Sequence, residues 1–141
     1  EIRKRIDFEF SESLEGWIAQ NDIADLTVRD GCLEGVATGG DPYMVRLGMD
    51  VQGDSCSKIR IRMKTTGGSG AEFYWTTEDS PNFAEDKTVK FPIISDGEFH
   101  EYVIEVGNHP LWKGKRITAI RLDPTSGSPN ARFFVDYIRG E

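Results

Sequence analysis

Positive charge, cysteine, histidine and long apolar runs are all scarce in this 141-residue chain, and each scarcity removes a class of explanation. Seventeen Lys and Arg stand against 24 Asp and Glu, for a formal charge of −7. A general nucleic-acid binder would instead need a basic face and a high pI. No apolar run approaches the roughly 20 residues needed to span a bilayer, so no membrane span is expected. Cys32 and Cys56 permit one intramolecular pairing or two free thiols, and with His100 and His109 they match no zinc spacing. There is no Gly-x-Ser-x-Gly, no phosphate loop and no metalloprotease signature. Nor does any stretch keep a helical apolar period for three turns. The opening Glu1-Ile2-Arg3-Lys4-Arg5 contains neither an initiator Met nor a signal peptide, which suggests a segment of a longer protein.

What is present is β-patterned from end to end. Lys58–Lys64 alternates strictly between apolar and basic residues, which puts Ile59, Ile61 and Met63 on one face and Arg60, Arg62 and Lys64 on the other. Further strands are expected at Asp7–Phe10, Leu26–Arg29, Leu33–Ala37, Met44–Leu47, Glu72–Thr76, Val89–Ile93, His100–Val106, Arg116–Leu122 and Arg132–Arg139. Turn signals separate them, among them Asp30-Gly31, Gly39-Gly40-Asp41-Pro42, Gly67-Gly68-Ser69-Gly70 and Asp96-Gly97. Length and spacing together predict a single all-β domain over residues 1–141, an antiparallel β-sandwich. In Arg116–Asp123, Thr118, Ile120 and Leu122 are expected inside, opposite Ile117, Ala119, Arg121 and Asp123.

The chemistry-bearing residues fall into three groups. Sugar rings stack their C–H faces on aromatic rings, and the candidates are Tyr43, Tyr74, Trp75, Phe83 and Trp112. Burying the more apolar Phe73 and Trp75 leaves Tyr74 outward beside Glu72 and Thr76. Arg46, Arg60, Arg62 and Arg121 form the second group. Their forks match carboxylate or sulfate in bidentate geometry, as an acidic polysaccharide would require. The plainer alternative is cross-strand pairing with Glu72, Glu101 and Glu105. Carboxylates are the third group, but Asp and Glu are too frequent for any one pair to mark a glycosidase.

Several pieces together resemble the bacterial carbohydrate-binding modules of the galactose-binding-like jelly-roll type. They are Asp7-Phe8-Glu9-Phe10, Leu14-Glu15-Gly16-Trp17, Asp30-Gly31-Cys32-Leu33-Glu34-Gly35 and Phe73-Tyr74-Trp75. Asp96-Gly97-Glu98-Phe99-His100-Glu101-Tyr102, Trp112-Lys113-Gly114, Ile120-Arg121-Leu122-Asp123-Pro124 and Phe134-Val135-Asp136-Tyr137-Ile138-Arg139 complete the series. Asp-Gly-x-x-His is shared with laminin-G and concanavalin-like lectin domains, which are jelly rolls too. The resemblance implies a non-catalytic module tethered to a catalytic domain in a secreted or cell-surface bacterial enzyme. It also implies a structural Ca²⁺ held by an early acidic residue and a late Asp, which Glu9 and Asp136 match, with Asp30 or the Gly31 carbonyl as third ligand.

The sequence therefore predicts a monomeric polysaccharide-binding module. Its ligand-binding residues are drawn from Arg46, Arg62, Tyr74, Trp75, Trp112 and Arg121, with Arg62, Arg121 and Tyr74 on one side of the sandwich. An adhesive spacer without a sugar site is the first rival, and a small lyase or hydrolase the second.

Overall fold

A computed structural model describes all of residues 1–141. Twelve strands form two antiparallel six-stranded sheets. They are β1 (Asp7–Phe8), β2 (Trp17–Asn21), β3 (Ile23–Arg29), β4 (Cys32–Ala37), β5 (Tyr43–Arg46) and β6 (Val51–Gln52). Then follow β7 (Ile59–Thr65), β8 (Gly70–Thr77), β9 (Thr88–Pro92), β10 (His100–Ile104), β11 (Arg116–Asp123) and β12 (Arg132–Gly140). The first sheet runs β10-β7-β12-β4-β3 with β1 on β12; the second runs β2-β5-β11-β8-β9 with β6 on β11. The chain crosses repeatedly between the sheets, as in a jelly roll. The only helical elements are single 3₁₀ turns at Gly53–Ser55 and Val106–Asn108, so no helix is long and apolar enough to cross a membrane.

Alternation explains the core. In β7 the inward Ile59, Ile61 and Met63 are fully buried and the residues between them are not. Ile104, Ile120 and Leu122 join them in one apolar cluster of 25 residues between the sheets. Two bulges break the simple period. One lies between Ile117 and Ala119 of β11 and turns Ile117 into the core, where alternation had put Thr118. The other lies in β12, where Asp136 is the extra residue between Val135 and Tyr137. An extra residue on one strand shifts every later side chain to the other face. The turn joining β3 to β4 has Asp30 and Gly31 both at positive φ (54° and 72°), as a two-residue hairpin with matching twist requires.

Two strands lack a sequence signal. β2 reads Trp-Ile-Ala-Gln-Asn and buries only Trp17, because it is an edge strand anchored by one side chain. β6 is two residues long. Cys32 and Cys56 are free thiols.

Candidate functional site

The outer face of the second sheet carries a cleft of about 500 Å³, floored by β8, β9 and β11 and walled by the Gly40-Asp41 turn and Thr125-Ser126. Pairing across the strands sets its floor: Asp123 lies opposite Glu72, and Glu72 opposite Lys90. One step along, Arg121 lies opposite Tyr74 on one side and Val45 on the other. Arg121 and Asp123 are two residues apart on one strand, so they share a face. They join in a fork with Nε–Oδ1 at 2.8 Å and Nη2–Oδ2 at 2.9 Å.

The fork rests on tyrosine. The guanidinium carbon lies 3.6 Å from the Tyr43 ring centroid and 4.2 Å from that of Tyr74, close cation–π contacts. The Tyr74 hydroxyl lies 2.7 Å from Glu72 Oε2 and 2.6 Å from Glu85 Oε2, and Lys90 Nζ lies 3.1 Å from Glu85 and 3.5 Å from Glu72. Burial, followed by the Glu85 and Glu72 carboxylates, pushes the Tyr74 phenol far above its ordinary range, so it stays protonated. Burial likewise raises Asp123 to about 6; the Arg121 fork opposes the rise, and the charges of Glu72 and Asp41 add to it. Each cation in this network already faces a carboxylate. What remains for a ligand is a set of fixed acceptors and donors in a concave surface.

The expected site residues are scattered by this geometry. Arg121 does not line the cleft itself but is joined to Asp123, which does. Tyr74 is beside Arg121 but only 4% exposed, lying under it, so it supports the site and offers no free ring for stacking. Trp75 and Trp112 are 0% exposed and belong to the core. They meet edge to face at 5.3 Å, and their indole N–H groups donate inward, Trp75 to the Leu111 carbonyl and Trp112 to those of Gly53 and Cys56. They are corrected from ligand contacts to packing. Arg46 is 4% exposed and its guanidinium donates to backbone carbonyls, so it forms no groove.

Arg62 sits on β7 in the first sheet, and Arg121 on β11 in the second. Their outward side chains therefore point to opposite sides of the sandwich, not to one. Sequence alone fixes the face of a residue within its strand, not the sheet that the strand joins.

The calcium ligand set does not assemble either. Both Glu9 oxygens are taken by Arg139 at 2.7 Å, Asp136 pairs with Arg62 at 2.7 Å, and Asp30 lies on an exposed turn. No three Asp, Glu, His or Cys side chains converge as a metal site would need. The two histidines are likewise occupied. His100 Nε2 lies 2.9 Å from Asp96, and His109 Nδ1 accepts the Leu111 N–H with its ring edge-on to Trp75.

Sequence reasoning passed over Asp123, Glu72 and Lys90 as site residues and left Tyr43 as one aromatic among several. Arg121-Leu122-Asp123 carried a usable signal, since opposite charges two apart on a strand must share a face. Nothing in the sequence showed which strands would lie beside it.

The fold is that of the jelly-roll carbohydrate-binding modules. No family model matches the chain, and no curated protein matches it. Among solved structures, a family 29 carbohydrate-binding module variant complexed with mannohexaose superposes with TM-score 0.69 at 12% identity, covering 97% of this chain and 91% of that one. A second family 29 variant, complexed with cellulohexaose, gives TM-score 0.65 at 14% identity and coverages of 97% and 89%. CBM28, a module specific for non-crystalline cellulose, gives TM-score 0.67 at 13% identity and coverages of 95% and 92%.

Proposed function

We propose that this chain is a non-catalytic carbohydrate-binding module, with its ligand in the cleft on the outer face of the second sheet. The observation that carries the reading is the Arg121–Asp123 fork, held on two tyrosine rings, which fixes the Asp123 carboxylate in the lining of a concave surface. A sugar hydroxyl donates one hydrogen bond and accepts others, so it suits a floor where Asp123 and Glu72 accept and Lys90 donates. Donors and acceptors fixed in advance lower the ordering cost of binding. Tyr43 is half-buried, packs against the Arg121 guanidinium and does not line the cleft.

Because its cations are already neutralised, the cleft suits a neutral glycan. The hexasaccharides bound by the similar modules, mannohexaose and cellulohexaose, are neutral and make the natural first probes. In its parent protein such a module would hold a secreted or cell-surface catalytic domain on its polymer, an effective-concentration gain. Titration calorimetry with both hexasaccharides should show binding that changes little with salt, since screening acts on exposed charge. Asp123→Asn and Arg121→Met should each weaken it by about tenfold, the factor that 1.4 kcal/mol represents. Unaltered affinity in both variants would remove the cleft from the reading.

An acidic glycan remains a second reading, now on the other face. Lys64 and Arg132 are the cations of the first sheet's outer face that form no ion pair with a carboxylate. They flank the Phe134 ring at 4.5 and 5.3 Å, and Lys64 also lies 4.9 Å from Phe99. Native-gel retardation by a uronate or sulfated polymer, lost at high salt and in Lys64→Ala with Arg132→Ala, would favour it. If no polysaccharide retards the domain, the spacer reading holds.

A further inference from the structure

The calcium ligands that the fold's resemblance implies do not converge, yet the structure does contain a cage of oxygen atoms around a positive charge. Arg46, at the end of β5, turns inward beside Trp17, its partner on β2, and is almost wholly buried. Its Nε donates to the Glu15 carbonyl at 2.7 Å, Nη2 to that of Glu1 at 3.2 Å, and Nη1 to those of Leu47 and Gly48. No carboxylate bonds it directly. Four backbone carbonyls from three separate segments solvate one buried cation.

The surrounding chain is shaped to this charge. Gly16 has φ of +87°, and a Cβ there would lie 2.4 Å from Arg46 Nε. Phe10 and Glu15 also take left-handed φ values, 53° and 50°, which side chains other than glycine seldom adopt unless their surroundings hold them. Glu15 is held by a second cation: Arg3 donates to its carboxylate at 3.2 Å and to the Asp7 carbonyl at 3.0 Å, while the other carboxylate oxygen accepts the Phe10 N–H at 2.8 Å. Both guanidinium groups lie over Phe8, at 4.8 and 5.9 Å.

We infer that Arg46 is a built-in cation, tying the chain start, the Phe10–Gly16 loop and the end of β5 together in place of a structural metal. Carbonyl oxygens from three segments crowd together here beside an open surface pocket, and the covered guanidinium gives each of them a donor and offsets their shared negative potential. Calcium meets that need with six to eight oxygen ligands, and a guanidinium meets it with five N–H groups in a fixed plane. A tethered cation cannot be chelated away, so the fold should be indifferent to metal.

Thermal melts test this directly. Wild-type protein in excess Ca²⁺ and in EDTA should give superimposable curves. Arg46→Met keeps much of the buried stem but removes the charge and all five donors, and its melting temperature should fall by about 10 °C. Millimolar guanidinium chloride should recover part of that loss, relative to sodium chloride at equal ionic strength, and should not stabilise the wild type. Arg46→Lys, with charge but fewer donors, should fall between the two. If Arg46→Met does not fold, Arg46→Lys reads the same quantity. A wild-type melt lowered by EDTA overturns the inference, as does an Arg46→Lys melt that matches the wild type.

Discussion

The two outer faces of this sandwich carry the same kinds of residue and hold them in opposite ways. On the first sheet, Arg60 lies between Glu101 at 2.9 Å and Glu141 at 2.8 Å, Arg139 grips Glu9, and Arg62 pairs with Asp136, all substantially exposed. On the second, the Arg121 and Asp123 side chains are only 14% and 7% exposed, and tyrosine rings lie against the guanidinium. Exposed pairs gain little, because water competes for both partners and the long side chains must be ordered. A desolvated pair is expensive to break and keeps its geometry. Identical chemistry thus yields an adaptable surface on one side and a preorganised floor on the other.

The largest test of that contrast lies beneath the floor. Trp75 faces the core from the strand that bears Tyr74, and Trp75→Ala should cost roughly 3–5 kcal/mol in a denaturant titration. A stable variant that loses only sugar affinity would instead return Trp75 to the ligand. Asp123→Ala should cost about 3 kcal/mol, because it leaves Arg121 desolvated without its partner. A loss as small as that of an exposed pair would erase the difference between the faces.

Acid should separate the faces by sign. The folded pKa of Asp123, about 6, lies above its ordinary value, so the folded chain holds a proton that the unfolded chain releases. This group's contribution is full below about pH 4 and is lost as pH rises through 6, on the order of 3 kcal/mol. Glu101 runs the other way. The Tyr137 hydroxyl, and after it Arg60, hold its pKa below the usual range, so its contribution is present at neutral pH and lost on acidification. Stability measured from pH 4 to 6 should show the Asp123 decline vanish in Asp123→Asn and persist in Glu101→Gln. The smallest effect belongs to the exposed network, where Arg60→Ala should change stability by less than about 1 kcal/mol. A larger loss would show that the first face is as tightly built as the second.

Much of the fold was legible because burial writes itself into alternation. The Lys58–Lys64 pattern fixed which side of β7 would be core, and the more apolar Phe73 and Trp75 did the same for β8. The site was far less legible. Tyr74 was rightly placed on the outer side of its strand, yet it is buried there, because Arg121 and Glu85 come from other segments and cover it. The indole N–H groups of Trp75 and Trp112 are satisfied by backbone carbonyls that only the packed structure brings within reach.

By itself, then, the sequence determined the all-β class, most of the strands, the turn at Asp30-Gly31 and the inward side of β7 and β8. These depend on neighbours two to four residues apart, and the period of a strand is local. Only the tertiary structure decided that Arg62 and Arg121 lie on opposite faces, that Ile117 turns inward at a bulge, and that Arg46 is caged by carbonyls. The partners that settle each of these are distant in sequence: Asp136 for Arg62, Tyr43 and Tyr74 for Arg121, Thr77 across from Ile117, Glu1 and Glu15 for Arg46. Strand patterning records which side of a residue is wet, but not which strand, or which charge, will lie beside it.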